Sequence, residues 1–130
     1  MLVETIGRAR PAAGNFELYS WYFFRVSGVL LVFLALGHLL TMHIVNNVDV
    51  IDYRFVAARW DNPFWRSYDW FLLLLAVLHG SNGVRIVVDD YVHTRGWRVL
   101  AQSALYTFTA IFILVGTIAV LTFQPVAQVR

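Results

Sequence analysis

From Val99 to Val129 the chain carries no charged side chain, and two earlier stretches, Val26 to Val48 and Trp70 to Val84, are equally free of formal charge. A bilayer's hydrocarbon core is about 30 Å thick, and about 20 apolar residues of helix cross it. Three such runs therefore dictate a membrane protein with three spans. The chain has 130 residues, 59% hydrophobic and 16% aromatic, above the roughly 45–50% apolar content of soluble proteins. It reads as one small membrane-anchor domain, residues 1–130.

The expected class is all-α: an integral membrane bundle of three transmembrane helices, with a short interfacial helix between the first and second. Residues 1–20 form a polar arm ending in an aromatic lead-in, Phe16 to Trp21. The spans are expected at residues 21–45, 65–88 and 97–123. Asn46 to Pro63 mixes Asn, Asp and Arg with Ile51, Tyr53, Phe55 and Trp60, the pattern of an amphipathic helix lying on the membrane surface. Trp70 to Val84 is shorter than a full crossing, so Asp69 and Arg85 are expected near the two interfaces. Asp89 to Arg98 is expected as a tight polar turn.

All ten cations are arginines, and they flank the apolar runs. They act as topology signals rather than a nucleic-acid footprint. Arg8, Arg10, Arg25, Arg85, Arg95 and Arg98 fall on one side, against Arg54, Arg59, Arg66 and Arg130 on the other. This bias puts the amino terminus and the second turn in the cytoplasm and the carboxyl terminus outside. No secretory signal peptide is expected, because the first twenty residues hold Glu4, Arg8, Arg10, Pro11 and Glu17 and no apolar core. With no cysteine in the chain, disulfides, thiolate-held iron–sulfur clusters and covalent haem are excluded, so a haem would be held by histidine.

His79 lies inside the second span. A helix turns about 100° and rises 1.5 Å per residue, so Asp90 returns to within about 20° of His79, some 16 Å along the axis. Ala76 and Gly83 fall near that face, small enough for a helix or a flat cofactor to approach. An ionisable group at membrane depth faces a bundle interior, a cavity or a partner. For His79 two readings stand: a cofactor ligand, or a histidine that donates to a neighbouring carbonyl.

At the cytoplasmic rim, Arg25, Ser27, Asp89, Asp90 and Tyr91 are expected to converge. A cation, a hydroxyl and a phenol beside carboxylates suit a quinone's oxygens or haem propionates. The plain alternative makes Arg25 and Arg85 anchors, Asp89 and Asp90 a solvated helix end, and Tyr91 an interfacial aromatic. His38 lies thirteen residues after Arg25 and His79 twelve before Tyr91. With level rims, the two imidazoles share one depth and can ligate one iron or, for His38, contact a haem edge. His43 and His93 are expected to be solvated.

Phe24-Arg25-Val26-Ser27-Gly28, Gly37-His38-Leu39, Leu78-His79-Gly80, Asn82-Gly83 and Asp89-Asp90-Tyr91 together resemble the small hydrophobic membrane anchor of succinate dehydrogenase, the D-type cytochrome b subunit. The resemblance is closest to the bacterial, actinobacterial-like branch and covers about residues 15–125. It implies a complex in the bacterial cytoplasmic membrane, in which a flavoprotein and an iron–sulfur subunit oxidise succinate. This anchor and a larger cytochrome b anchor then bind haem b and reduce ubiquinone or menaquinone. His79 matches the axial haem-iron ligand, Tyr91 the quinone-site tyrosine with Asp90 beside it, and Arg25 the arginine near the haem propionates and quinone. The larger anchor carries a histidine just before its arginine. Here that residue is Phe24, which fits the small subunit.

No flavin-, cluster- or dicarboxylate-binding motif is present, so the chain is expected to serve an enzyme complex without being catalytic alone. Two other classes remain open at this point: a haem-free structural anchor and a small transporter subunit. The transporter reading calls for helices broken near mid-membrane, whereas the spans here read as continuous.

Overall fold

The computed structural model describes residues 15–124. Helix α1 spans Phe16–Leu39 and continues through a π-helical turn, Leu40–Val45. After a single 3-10 turn at Val48–Val50 come α2, Tyr53–Asp61, α3, Pro63–Tyr91, and α4, Arg95–Thr122. Among the described residues there is no strand. Three segments, Leu18–Val45, Pro63–Tyr91 and Arg95–Thr122, are long and apolar enough to cross a membrane. The short helix between the first and second is α2.

Local chemistry sets the boundaries. Asn62 and Asp52 cap α3 and α2, their side chains accepting from the amides of Phe64 and Phe55 at 2.9 Å each. Pro63 occupies the first turn of α3, where its missing N–H leaves no bond unmade. At the end of the first span the Thr41 hydroxyl donates to the Gly37 carbonyl at 2.7 Å. Both the amide and the side-chain Nδ2 of Asn46 reach the Thr41 carbonyl, at 3.2 and 2.7 Å. These five-residue closures draw out the π turn.

The helices overrun the expected spans. The first begins at Phe16 rather than residue 21, because the aromatic lead-in is itself helical. The second extends to Pro63 and Tyr91, so the turn after it shrinks from the expected Asp89 to Arg98 to Val92–Thr94. Of the expected arm, residues 1–14 lie outside the described residues, as does Arg130.

Helix α3 is the centre, packing against both α1 and α4, with α2 against its amino-terminal half. Along the α3–α4 seam Trp70 Nε1 donates to Thr117 Oγ1 at 3.2 Å, Ser81 and Thr109 share a 2.6 Å hydrogen bond, and Gln102 donates to Asp89 at 2.6 Å. Gly116 makes room for Leu73, which any Cβ there would overlap. Very little apolar side chain is enclosed: among the described residues Ala57 and Val120 are the buried hydrophobic ones, while Phe33, Ile44, Leu114 and Leu121 are all exposed. Apolar surface of this kind faces lipid tails or partner helices, and contacts between helices are left to small and polar residues.

Candidate functional site

The α1–α3 seam is antiparallel, and its register is fixed by side chains: Ser20 meets Asn82, Ser27 meets His79 and Leu34 meets Tyr68. At its centre the His79 Nδ1 lies 2.9 Å from Ser27 Oγ. Ser27 is 1% exposed and is the one fully buried side chain among the described residues. The Phe24 ring stacks on the imidazole, with centroids 4.2 Å apart and an angle of 11° between planes. Gly28 lets the ring approach, since a Cβ there would sit 3.2 Å from His79 Cε1. Gly83 lies beside Phe24, where a Cβ would make an ordinary contact at 3.7 Å. Phe24, Ser27 and Gly28 are spaced i, i+3, i+4, which puts them on one face of α1.

His79 also lines an open groove of about 550 Å³ on the outer flank of the seam, bounded by Trp21, Phe24, Arg25, Gly28, Val29 and Val32. Among the described residues its Nε2 makes no hydrogen bond. Arg25 is exposed beside this groove, its guanidinium 4.4 Å from the centre of the Trp21 ring. The groove thus offers a bare imidazole nitrogen, a cation and apolar walls.

The structure divides the sequence candidates into three places. Arg25, Ser27 and His79 come together in the seam. Asp90 and Tyr91 are at the carboxyl-terminal end of α3, with Tyr91 79% exposed. That end is about 18 Å along the axis from His79. The expected convergence of Arg25 and Ser27 with Asp89, Asp90 and Tyr91 does not occur. Because α1 starts at Phe16, Arg25 is about 14 Å inside the helix rather than at its rim. His38 is the third place: its Nδ1 is 3.5 Å from Asp69 Oδ1. The expectation that His38 and His79 share one depth fails for the same reason. Ser27 is level with His79, and His38 is a further eleven residues, about 16 Å, along α1.

A family model for the succinate dehydrogenase/fumarate reductase transmembrane subunit matches residues 5–123. The chain belongs to this family. No curated protein matches the chain. As a succinate dehydrogenase/fumarate reductase transmembrane subunit, the chain is a multi-pass membrane anchor and part of an enzyme complex.

Two clusters of this transmembrane subunit escaped the sequence reading as candidate sites. Toward the carboxyl-terminal end of α3, Asn82 Oδ1 accepts from Ser20 Oγ at 2.8 Å and from Arg85 Nε at 3.3 Å. Arg85 also donates to Ser20 Oγ at 3.2 Å, lies 3.8 Å from Asp89, and faces the Phe16 ring at 5.6 Å. Arg85 is therefore a seam residue, its side chain 12% exposed. At the other end, Asp69 accepts from Arg59 Nε and Nη2 at 3.1 Å each and from Trp60 Nε1 at 2.8 Å. The Arg59 guanidinium carbon is 4.0 Å from the centre of the Trp65 ring, and Arg59 is 8% exposed. The spacing i, i+3, i+7 of Asn82, Arg85 and Asp89 signals one helix face. For Arg59 and Asp69 no local spacing was available, because they sit on different helices.

Proposed function

We propose that this subunit is the smaller of two membrane anchors of a succinate:quinone oxidoreductase, holding a b-type haem through His79 and contributing Tyr91 and Asp90 to a quinone site. The observation that carries the reading is the state of His79: Nδ1 engaged by buried Ser27, Nε2 without a partner, and Arg25 on the same groove. Histidines that ligate metals have this form, one ring nitrogen tied to the protein and the other left to the metal. The groove's apolar walls and single cation fit a flat apolar macrocycle with anionic edges. His79 would supply one nitrogen donor to the haem from this chain.

A haem bound there supplies a one-electron carrier within the membrane. The chain's own residues hold and position. His79 presents Nε2, Gly28 keeps the seam narrow, and Arg25 would pair with a carboxylate through its planar fork. Asp90 and Tyr91 are at the end of α3, where electrons from an iron–sulfur subunit would enter. Tyr91 would donate a hydrogen bond to an oxygen that gains negative charge, and Asp90, one residue away, would orient it or relay the proton. The arginine distribution puts this end and the amino terminus on the cytoplasmic side of the bacterial membrane, with the flavoprotein and iron–sulfur subunits docked there.

The test is His79→Ala in the purified complex. Loss of the low-spin haem signal, with all subunits copurifying and dye-linked succinate oxidation retained, is the expected result. Full haem content with an unchanged spectrum would overturn the ligand assignment and leave a His79 that only ties α3 to α1.

A further inference from the structure

We infer that Ser27 is the positioning residue of His79, its hydroxyl accepting the Nδ1 proton so that Nε2 carries the lone pair. This rests on the reading of His79 as a haem ligand. A serine hydroxyl has one proton to give. Its two neighbours are the Phe24 carbonyl oxygen, at 3.3 Å, and His79 Nδ1, at 2.9 Å. The carbonyl can only accept, so the arrangement that satisfies both contacts has Oγ donating to Phe24 and accepting from Nδ1–H. A neutral imidazole protonated at Nδ1 has its free electron pair on Nε2.

The rest of the cradle limits how the ring can move. Phe24 lies parallel to it, fixing the ring plane. Gly28 sets the closest approach of α1 to Cε1. Ser27 is sealed from solvent at 1% exposure, so no water competes for its lone pairs. The Phe24 to Gly28 segment is thus an imidazole holder, and Ser27 acts through His79 rather than on a quinone.

A hydroxyl is a weaker acceptor than a carboxylate and makes the imidazole only modestly electron-rich, while removing it makes the imidazole a poorer donor to iron. In the purified complex, Ser27→Ala should keep most of the haem, change the ferric low-spin electron paramagnetic resonance signal, and raise the haem midpoint potential. Ser27→Thr restores the hydroxyl and should return both towards the wild-type values. Ser27→Cys, close in size and a weak acceptor, should behave like alanine, and it serves if the alanine complex assembles poorly. The KM for quinone should stay unchanged in all three. Haem signal and potential unaltered in both the alanine and cysteine variants, alongside loss of haem in His79→Ala, would overturn the positioning role and leave the ligand reading standing. A raised quinone KM with an unaltered haem would instead make Ser27 a quinone ligand, and it too would overturn the inference. Retention of haem by His79→Ala would remove the ground for both.

Discussion

Two polar clusters on α3, ten residues and about 15 Å apart, solve opposite problems. Around Asp69 the carboxylate is matched: both its oxygens accept from Arg59 and one also accepts from Trp60, while His38 stands 3.5 Å away without a hydrogen bond from its Nδ1. Around His79 one nitrogen is matched and the other is not. A charge pair shielded from water holds its elements together only when its bonds are complete, and losing one partner strands the other. A ligand site needs the reverse, a group held in place by one contact with its reactive atom left over. The closed cluster fastens α2 onto α3, and the open one, on the reading proposed above, leaves Nε2 for a ligand from outside the chain.

The largest expected effect follows from the closed cluster. Asp69→Ala strands the buried Arg59 guanidinium and should lower stability by about 3–5 kcal/mol, read as a fall in the yield and thermal midpoint of the assembled complex. The haem spectrum of what survives should be normal. A complex as stable as wild type would break the contrast, because Asp69 would then not be a fastener. Next is a residue outside both clusters. Tyr91→Phe should slow quinone reduction by about 10²-fold, the lower end of what a positioned proton donor contributes, with dye-linked succinate oxidation unchanged. Equal loss of both activities would point to assembly instead.

Smaller effects sharpen the picture of the seam between the clusters. A Cβ at Gly37 would lie 2.7 Å from the Tyr68 hydroxyl, which donates to the Leu34 carbonyl. Gly37→Ala should therefore cost about 1–3 kcal/mol through overpacking, visible in thermal denaturation, with little change in haem. Gly80 has nothing within 4 Å of its built Cβ, so Gly80→Ala is the matched control. A thermal midpoint as depressed as that of Gly37→Ala would mean that a partner presses on Gly80 in the complex. The smallest expected loss is at α2: Asp52→Ala removes an exposed N-cap bond to Phe55, worth about 1 kcal/mol. Hydrogen exchange confined to α2 would register it.

Much of the fold was legible because burial in lipid leaves few choices. The helix starts at Asp52 and Asn62-Pro63 emerged only with their caps in the structure, whereas the uncharged runs required three helices. His79 could be picked out for the same reason: an imidazole inside an apolar run demands a use. The arrangement of the site was less legible. The rim was expected where the aromatic lead-in met the span, yet Phe16 to Ser20 is helical, and that shift moved Arg25 and Ser27 inward by more than a turn.

The sequence by itself determined the number of spans, the interfacial helix, the exclusion of thiolate and disulfide chemistry, and the presence of His79 inside a span. Each is a property of single residues or short windows in a solvent that tolerates no unpaired backbone. Only the tertiary structure decided that Ser27 answers His79, that His38 belongs with Asp69, and that Arg59 and Arg85 are seam residues rather than plain anchors. Those pairings depend on the register between antiparallel helices. Register is set by where bulky and small side chains interlock, at His79 with Gly28, Tyr68 with Gly37 and Leu73 with Gly116, and a one-turn slide of about 5.4 Å would reassign every one of them.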